Sequence, residues 1–228
     1  FWIARMILMS TYLIGEVPFK TVYLHGMVLD KNGKKMSKSH PETAIDPVEI
    51  IERHGADALR MAMIVGVGPG NNNSLSEDKI KAYTKFANKI WNATRFVLEN
   101  TKDLSVSEHP TYDEEDKNSD EELKNFVNEI TKEMDEYKFY IVAEKIYHYF
   151  WHTFADIIIE RSKKKIIDAE KTNSDASSPK TLIYTQLTTL LKLLHPFMPF
   201  VTEELWSMIP GKDKNKKLLM VESWPNIN

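Results

Sequence analysis

A short basic loop, Lys35-Met36-Ser37-Lys38-Ser39, carries the side chains of this sequence that are best suited to chemistry. Its two lysines lie three positions apart, with hydroxyl groups between and beside them. Ammonium and hydroxyl donors in one short loop suit the stabilisation of negative charge that develops on phosphate oxygens during a displacement. A lysine pair alone is more often an ordinary solvated surface, so the flanking segments decide the interpretation.

The segment before the loop predicts a β-hairpin. Thr21 to Leu29 is rich in β-branched and aromatic residues, which favour a strand. Asn32-Gly33 is a dipeptide typical of tight hairpin turns. We therefore expect Lys34-Lys35 to run back alongside Leu29-Asp30, with the basic loop at the open end of the hairpin.

Helix-start signals follow the loop. Asp46-Pro47-Val48-Glu49 combines an N-cap residue, a proline at the first helical position and an acidic residue at the third. This pattern predicts a helix that ends at Gly55, with Gly55 in the left-handed conformation. A second short helix is expected from Asp57 to Val65. The glycines, proline and asparagines of residues 66–73 predict a loop and a domain boundary.

The chain after residue 73 predicts a helical bundle. Ser74-Leu75-Ser76-Glu77 is a further capping box, and Asn100 to Glu122 is expected to be a mobile, acid-rich connection. Lys171 to Pro179 is expected to be a linker, and Glu203 to Ile209 a short last helix. Apolar residues recur with helical spacing in four stripes. The stripes consist of Ile80, Tyr83, Ala87, Ile90, Trp91, Thr94 and Leu98; Leu123, Phe126, Val127, Ile130, Met134 and Tyr137; Val142, Ile146, Phe150, Phe154 and Ile157; and Ile183, Leu187, Leu190, Leu191 and Leu194.

The start of the chain predicts one more element. Phe1 to Ile14 is apolar and predicts a buried helix that ends at Gly15. The expected fold is mainly α, a helical bundle carried behind the C-terminal end of an α/β domain with a short β-hairpin. The expected division is residues 1–45, 46–73, 74–210 and 211–228.

Composition excludes some classes of function. The 228 residues have a formal net charge of −3, so a nucleic-acid partner must use a local basic surface. There are no cysteines, which removes disulfide and thiolate chemistry and fits a cytoplasmic protein. No apolar run reaches the ~18 residues of a membrane span, and the Phe1–Ile14 segment contains Arg5, so neither a membrane anchor nor a signal peptide is expected.

Three blocks of sequence resemble a known family. They are residues 18–39 with the basic loop, residues 45–60, and Leu194-His195-Pro196-Phe197-Met198-Pro199-Phe200 with the residues that follow it. Together they resemble the class I aminoacyl-tRNA synthetases of the valine, isoleucine and leucine branch. Asn88-Lys89-Ile90-Trp91-Asn92-Ala93 looks most like the valine enzymes, since isoleucine relatives usually carry an Arg-Asn-Thr run there. One departure is His40-Pro41-Glu42-Thr43-Ala44, where relatives follow the signature loop with Leu-Gly-Asn.

The resemblance implies a fold and an activity. Residues 1–45 would be the end of a Rossmann-like catalytic domain, and the bundle would bind the anticodon of tRNA. Leu218 to Pro225 resembles the return strand of the family, so a strand is expected there. The full protein would be an ATP-dependent valine–tRNA ligase that acts through valyl-adenylate, with Mg²⁺ accompanying ATP and tRNA(Val) as partner. A monomer is expected. The family's His-x-Gly-His motif is missing from these residues, so the chain alone is expected to be inactive. The alternatives are an isoleucine–tRNA ligase and a free-standing tRNA-binding module.

The resemblance also implies roles for residues of the basic loop and the strand before it. Lys35 and Lys38 would be catalytic, and Lys38 and Ser37 would contact the phosphates of ATP. His25 and Gly26 would contact the nucleotide, although a histidine in a strand also serves structure, and both interpretations stay open.

A helical face with several positive charges is the candidate tRNA surface. Lys81, Lys85 and Lys89 are spaced by four, so they share one side of a helix. Asn88, Asn92 and Arg95 lie near them, and such a face suits the phosphate backbone. The alternative is a solvated helix face; the resemblance favours tRNA.

Two further pairs of polar residues are assigned to structure. His148 and His152 are four apart, which suits a metal, but no third ligand is suitably spaced, so helix packing is expected and no metal site is predicted. Asp57 and Arg60 are expected to join the two parts of the chain by helix packing and salt bridging.

Overall fold

The computed structural model describes residues 1–30, 32–36, 46–104, 111–210 and 218–225. Within these ranges the protein is mainly helical, which confirms the predicted fold class. The helices are α1 (Trp2–Ile14), α2 (Pro47–His54), α3 (Ala56–Ile64), α4 (Glu77–Asn100), α5 (Glu114–Asp135), α6 (Phe139–His148), a π-helix (Tyr149–Ile158), α7 (Ile159–Thr172), α8 (Ser177–Leu194), α9 (Pro199–Met208) and a 3₁₀ turn (Leu219–Val221). Two short strands, β1 (Val28–Leu29) and β2 (Asn73–Ser74), pair in parallel.

Helix α1 forms where the sequence predicts it but is not buried. Gly15 ends it with φ +80, in the left-handed conformation. None of its side chains is buried, and the apolar residues Ile3 and Ile14 are 42% and 73% exposed. The prediction of a buried helix is therefore wrong for this chain, because periodicity marks an apolar helix but not the surface that covers it.

The predicted strand is shorter than expected and has a second partner. Of the segment Thr21–Leu29, the last two residues form β1, which pairs with Asn73–Ser74 in addition to the predicted hairpin. The hairpin itself is confirmed: Leu29 and Lys35 form an antiparallel bridge, and Asp30 N–H donates to the Lys34 carbonyl oxygen at 2.9 Å. Gly33 supplies a turn residue with φ +75.

Side-chain caps begin the helices that follow. Asp46 accepts a hydrogen bond from Val48 N–H at 2.9 Å, and Pro47 takes the first position of α2. Ser76 caps α4 by accepting from Lys79 N–H at 3.2 Å, so this helix begins two residues later than a capping box at Ser74–Glu77 would place it, because Ser74 lies in β2. Gly55 ends α2 at φ 85 and ψ 150, so its φ is positive as expected, but its ψ is extended rather than left-handed helical. Because the backbone of Gly55 is not helical, α2 ends there and α3 begins at the next residue in a different direction.

One hydrophobic core runs from α2 to the 3₁₀ turn. Its most buried large side chains include Met61 of α3, Phe86 of α4 and Phe150 and Phe154 of the π-helix. Helix α3 packs closely along α4, so the core continues across residue 73 without a break. The division of the chain at this point stays a prediction. Among the described helices, none combines the length and apolar character of a membrane-spanning segment.

The buried face of α4 is rotated from the predicted stripe. Phe86, Ala93 and Val97 are buried, whereas Ala87, Trp91 and Leu98 of the stripe are only half-buried. Aromatic side chains of α6 and the π-helix explain the rotation, because Tyr147, Phe150 and Trp151 all pack on Phe86.

The acidic segment predicted as a mobile connection is largely helical. Residues 114–122 form the start of α5, with Asp113 as its N-cap. Lys165 of α7 lies 2.8 Å from both Asp113 and Asp116, and Arg161 lies 3.3 Å from Asp116. Residues 105–110 lie outside the described residues. The prediction of mobility is wrong for 111–122 because cations 45 or more positions away in sequence neutralise these carboxylates.

The helix predicted by the apolar stripe from Val142 to Ile157 contains a π-helical segment. Its i→i+5 hydrogen bonds widen the helix from residue 149 to 158. As a result Ile158 is buried and Ile157 is 58% exposed, which reverses the predicted orientation of Ile157. Helix α7 continues to Thr172, so the connection before α8 is shorter than the predicted linker.

The end of the chain turns instead of forming a strand. Leu219–Val221 is a 3₁₀ turn, and the Glu203 carboxylate accepts from the N–H groups of Leu219 and Met220 at 2.8 and 3.1 Å. Trp224 Nε1 donates to Thr131 Oγ1 of α5 at 2.8 Å. The prediction of a strand for residues 218–225 is therefore wrong. The backbone N–H groups of Leu219 and Met220 donate to a side chain of α9 and not to a neighbouring strand.

Candidate catalytic loop and tRNA-binding face

The hairpin holds the first residue of the basic loop in a defined place. The buried carboxylate of Asp30 accepts hydrogen bonds from the N–H groups of Asn32 and Lys34 at 2.9 and 2.8 Å, which closes the turn. Lys35 then pairs with Leu29, and its side chain is exposed. Ser37 and Lys38 lie outside the described residues, as does the His40–Ala44 segment. The described part of the site is thus a rigid base from which the loop begins.

His25 and Gly26 lie on the segment that leads into β1. The His25 Nδ1 atom lies 2.8 Å from the Gly26 carbonyl oxygen, and the side chain is exposed. A Cβ atom added at Gly26 would lie 2.0 Å from the Asn71 carbonyl oxygen, a distance at which something must shift. Gly26 is therefore required here by the close approach of two backbone segments, and the fold does not depend on the His25 ring for this approach.

The six candidate tRNA-binding residues lie on α4, but their surroundings differ. Lys81, Lys85, Asn88, Asn92 and Arg95 are exposed. Lys81 lies 3.5 Å from Glu77, a carboxylate whose pKa is lowered by a hydrogen bond from His54 and by the charge of Lys81. Arg95 lies 3.6 Å from Glu99. Both are ion pairs within one helix, and such pairs are weak and exchangeable.

Lys89 is held by the π-helix. Its Nζ atom donates to Asp156 Oδ1 at 2.8 Å and lies 5.5 Å from the centre of the Trp151 ring. The side chain is only 32% exposed. Sequence spacing predicted the helix face correctly but gave no sign of this partner, because Asp156 is 67 positions away.

The two histidines on either side of the junction between α6 and the π-helix are exposed. The rings of His148 and His152 stack with their centres 5.6 Å apart, and His152 Nδ1 lies 3.5 Å from Asp156 Oδ2. The prediction that they are packed between helices is wrong, because both side chains are exposed to solvent. Within the described ranges, no three His, Cys, Asp or Glu side chains come together as a metal site would require.

Helix α3 connects to the corner between α8 and α9. The Asp57 carboxylate accepts from Phe200 N–H at 3.3 Å and Val201 N–H at 2.7 Å, so it caps α9 from another helix. Burial raises the pKa of Asp57, and the two N–H donors oppose that shift. Arg60 donates to the carbonyl oxygens of Pro196 and Phe197 at 2.9 and 3.1 Å. Asp57 and Arg60 thus join α3 to the later helices as predicted, but they do so by hydrogen bonds to backbone groups in place of the predicted salt bridging.

Comparison with known proteins now assigns these residues to a family. Residues 1–76 match the family model described as tRNA synthetases class I (I, L, M and V), and residues 116–228 match the anticodon-binding domain of tRNA ligase. The valine–tRNA ligase of Thermotoga maritima is 40% identical over 100% of the chain, and that of Aquifex aeolicus is 39% identical over 93% of it. The chain belongs to the class I aminoacyl-tRNA synthetases. It corresponds to a C-terminal portion of these relatives and spans 25% and 19% of their lengths.

A solved class I synthetase shares the fold. The leucine enzyme of Agrobacterium radiobacter K84 (AgnB2 LeuRS, solved in a ternary complex with tRNA and LeuAMS) aligns with a TM-score of 0.70 and 22% identity. The alignment covers 98% of this chain and 26% of that one. The arrangement of short strands and helices described above is therefore a fold of the class I family.

Within this synthetase fold, sequence reasoning missed two polar residues, Asn73 of β2 and Lys79 in the first turn of α4. Asn73 is buried, and Lys79 donates to the Val65 carbonyl oxygen and to Asn73 Oδ1. The available signal was the run Asn71-Asn72-Asn73, which loop composition alone explains. Their contacts depend on how β2 lies against β1 and α3, and single-sequence patterns do not report this.

Proposed function

We propose that this chain is part of a valine–tRNA ligase, whose full length joins valine to tRNA(Val) with consumption of ATP. The observation that carries the proposal is the identity of about 40% to valine–tRNA ligases along the whole chain. The same relatives make aminoacyl-tRNA ligation the expected activity of the complete protein. The chain would supply the basic loop to the catalytic centre and the helical bundle to tRNA.

The first step would be formation of valyl-adenylate. A carboxylate oxygen of valine attacks the α-phosphorus of ATP, a new P–O bond forms, and the bond to the bridging oxygen breaks. Pyrophosphate leaves with the electron pair of the broken bond, and Mg²⁺, when bound with ATP, would supply further positive charge to the phosphate oxygens. Negative charge grows on the phosphate oxygens as the bond breaks, so donors placed there act most strongly in the transition state.

We assign Lys38 to the stabilisation of this negative charge, with Lys35 beside it and Ser37 as a hydroxyl donor. The assignment rests on the signature Lys35-Met36-Ser37-Lys38-Ser39 and on the hairpin that fixes its first residue against Leu29. A loop anchored at one end can close over ATP late in the reaction. His25 and Gly26, on the segment leading into β1, are assigned to nucleotide contact.

The exposed side of α4 is assigned to tRNA. Lys85, Asn88 and Asn92 are exposed side chains on one helix whose opposite face is fixed in the core. Lysine and asparagine are suited to phosphate and sugar oxygens, so this surface would position tRNA without reading its sequence. Lys81, Lys89 and Arg95 complete the surface.

The test is valine-dependent exchange of pyrophosphate into ATP by the full-length protein. Lys38→Ala should lower kcat by roughly a few hundredfold with a smaller change in KM for ATP, because one charge-stabilising donor is worth about 3–4 kcal/mol in the transition state. Lys34→Ala is the matched control, since Lys34 is an exposed lysine of the hairpin turn.

Two results would contradict the proposal. Pyrophosphate exchange that depends on isoleucine and not on valine would reject valine as the substrate. An unchanged rate for Lys38→Ala, or an equal loss for Lys34→Ala, would reject the assignment of Lys38. The 228-residue chain alone serves as a blank, because the missing His-x-Gly-His motif should leave ATP without its other contacts.

A further inference from the structure

A cavity of about 420 Å³ lies between the segment before β1 and the helical bundle. Tyr23 and Leu24 line it on one side, and Val67 and Gly68, in the loop after α3, line it on another. Phe197, at the corner between α8 and α9, is 3% exposed, so this part of the wall is fixed in the core. Small-molecule sites in proteins have volumes of roughly 300–1,000 Å³, and this cavity falls within that range.

Aromatic rings form much of the cavity wall. The rings of Tyr23 and Phe139 lie with their centres 5.5 Å apart, and Tyr140 and Phe197 add two more rings. Aromatic side chains contact flat aromatic ligands through stacked or edge-to-face arrangements. Apolar cavities of about 150 Å³ bind benzene, so a cavity of this size suits a larger planar ring system.

The corner between α5 and α6 holds part of this wall in place. Tyr137 has φ 60, a left-handed conformation that is uncommon for a bulky side chain. Its N–H donates to the Met134 carbonyl oxygen at 3.0 Å, and Lys138 N–H donates to that of Glu133 at 2.9 Å. Helix α6 then begins at Phe139, which lines the cavity together with Met134. Backbone strain of this kind persists only where the surrounding structure imposes it, and it concentrates at ligand sites.

The cavity wall carries no fixed charge. Asp, Glu, Lys and Arg make up 28% of the chain, yet the described residues that line the cavity include none of these four types. An ion buried there would lose its hydration without gaining a partner. Charge complementarity therefore favours a neutral ligand over a nucleotide, an amino acid or a fatty acid.

Two polar side chains meet at Gly68 and give the wall a hydrogen-bonding corner. A Cβ atom added at Gly68 would lie 3.3 Å from Asn71 Nδ2 and 3.5 Å from Tyr140 Cζ. The amide of Asn71 and the hydroxyl of Tyr140 each contain an oxygen that accepts a hydrogen bond from an N–H group. Two further polar side chains of the wall, Asn73 and His25, are bonded to backbone carbonyl groups of the chain. The corner therefore suits one N–H donor on the ligand.

We propose that this cavity binds a neutral, planar heteroaromatic molecule of two fused rings with one N–H group, the chemical class of indole. The rings pack among Tyr23, Phe139 and Phe197, and the N–H group donates to the corner of Asn71 and Tyr140. The inference goes beyond the proposed function, because ATP and valine both carry charged groups for which this wall has no partner.

The test is a titration of the full-length protein with indole fluorinated on its six-membered ring, followed by the fluorine NMR signal of the ligand. A ligand of about ten non-hydrogen atoms in a preformed apolar site should bind with a Kd on the order of 0.1–1 mM. Val67→Phe places a ring in the cavity and should raise this Kd by roughly tenfold or more. A carboxylate derivative of the same fluoroindole should also bind roughly tenfold more weakly, because its charge finds no partner.

Val48→Phe is the matched control, because it makes the same substitution at a valine of α2 that is 63% exposed and lies outside the cavity wall. Its Kd should equal that of the wild type. Tyr140→Phe removes only the hydroxyl and should raise the Kd by about two- to tenfold, the contribution of one hydrogen bond. Should Val67→Phe melt at a lower temperature than the wild type, Tyr140→Phe decides in its place, and a wild-type Kd for it would overturn the inference.

Three other results would overturn the inference. They are no saturable binding to the wild type, an unchanged Kd in a stably folded Val67→Phe, and a Kd that rises in proportion to added ATP, which would place the probe in the nucleotide site. An unchanged Kd at saturating ATP supports the inference. The titration uses neither valine nor tRNA, so failure of valine-dependent exchange would reject the proposed function and leave this result standing.

Discussion

The lysines of α4 should contribute unequally to the salt dependence of tRNA binding. Each phosphate contact releases condensed counterions, so log Kobs changes with log salt concentration by about −0.7 to −0.9 per phosphate. Counting Lys81, Lys85 and Lys89 alone would predict three such contributions to the slope. Because carboxylates already pair with Lys81 and Lys89 in the structure, we expect fewer.

Lys85 should contribute fully, and Lys89 hardly at all. Lys85 is exposed, so pairing with a phosphate releases counterions without breaking another contact. Lys89 is bound to Asp156 at 2.8 Å. If Lys89 leaves Asp156 for a phosphate, Asp156 takes up a cation from solution, and the net release of ions is close to zero. Lys81 forms an ion pair with Glu77, so its contribution to the slope should lie between those of Lys85 and Lys89.

The assay is a salt titration of the 228-residue chain and its variants against one tRNA(Val) transcript. Lys85→Ala should flatten the slope by about 0.7–0.9, and Lys89→Ala by less than about half of that. Asp156→Asn should steepen the slope by about 0.7–0.9, because it frees Lys89 for a phosphate. Lys124→Ala, on α5, is the control for loss of one positive charge.

The reasoning would be refuted if Lys89→Ala flattened the slope as much as Lys85→Ala, since the Asp156 pair would then not hold Lys89. Equal slopes for the wild type and for a variant lacking Lys81, Lys85 and Lys89 would place the tRNA surface elsewhere. The α4 lysines would then be an ordinary solvated face.

Two further predictions concern stability. Asp116→Asn should lower the free energy of unfolding by about 2–4 kcal/mol in urea titrations, because a fully buried carboxylate that binds Lys165 and Ser178 loses its charge. The control is Glu122→Gln, an exposed position on the same helix, which should change the free energy of unfolding by less than about 0.5 kcal/mol. Equal effects of the two substitutions would contradict the argument. Burial lowers the pKa of His195 below 6.5, so the unfolded state gains this proton first and stability should fall as pH drops below about 6.5. His195→Asn should show a shallower fall over that window in unfolding curves at several pH values, and an identical pH dependence would count against it.

The sequence by itself determined the local elements of this protein. Asp46 begins α2 and Gly33 closes the hairpin, as capping and turn chemistry predict. These outcomes depend on atoms a few residues apart, so the order of residues is sufficient for them. The same holds for the candidate loop, whose lysines, hydroxyls and flanking blocks are contiguous in the chain, although Lys38 itself stays a prediction.

Only the tertiary structure decided which charges and faces are available. Asp116 is buried because Lys165 reaches it across the bundle, Lys89 is held by Asp156, and the π-helix turns Ile158 inward in place of Ile157. Helix α1 is apolar in sequence yet exposed, since nothing in its own residues specifies a cover. Each of these outcomes depends on a partner dozens of positions away, or on a change of helical pitch set by packing. The spacing of apolar residues along one helix reports neither of these.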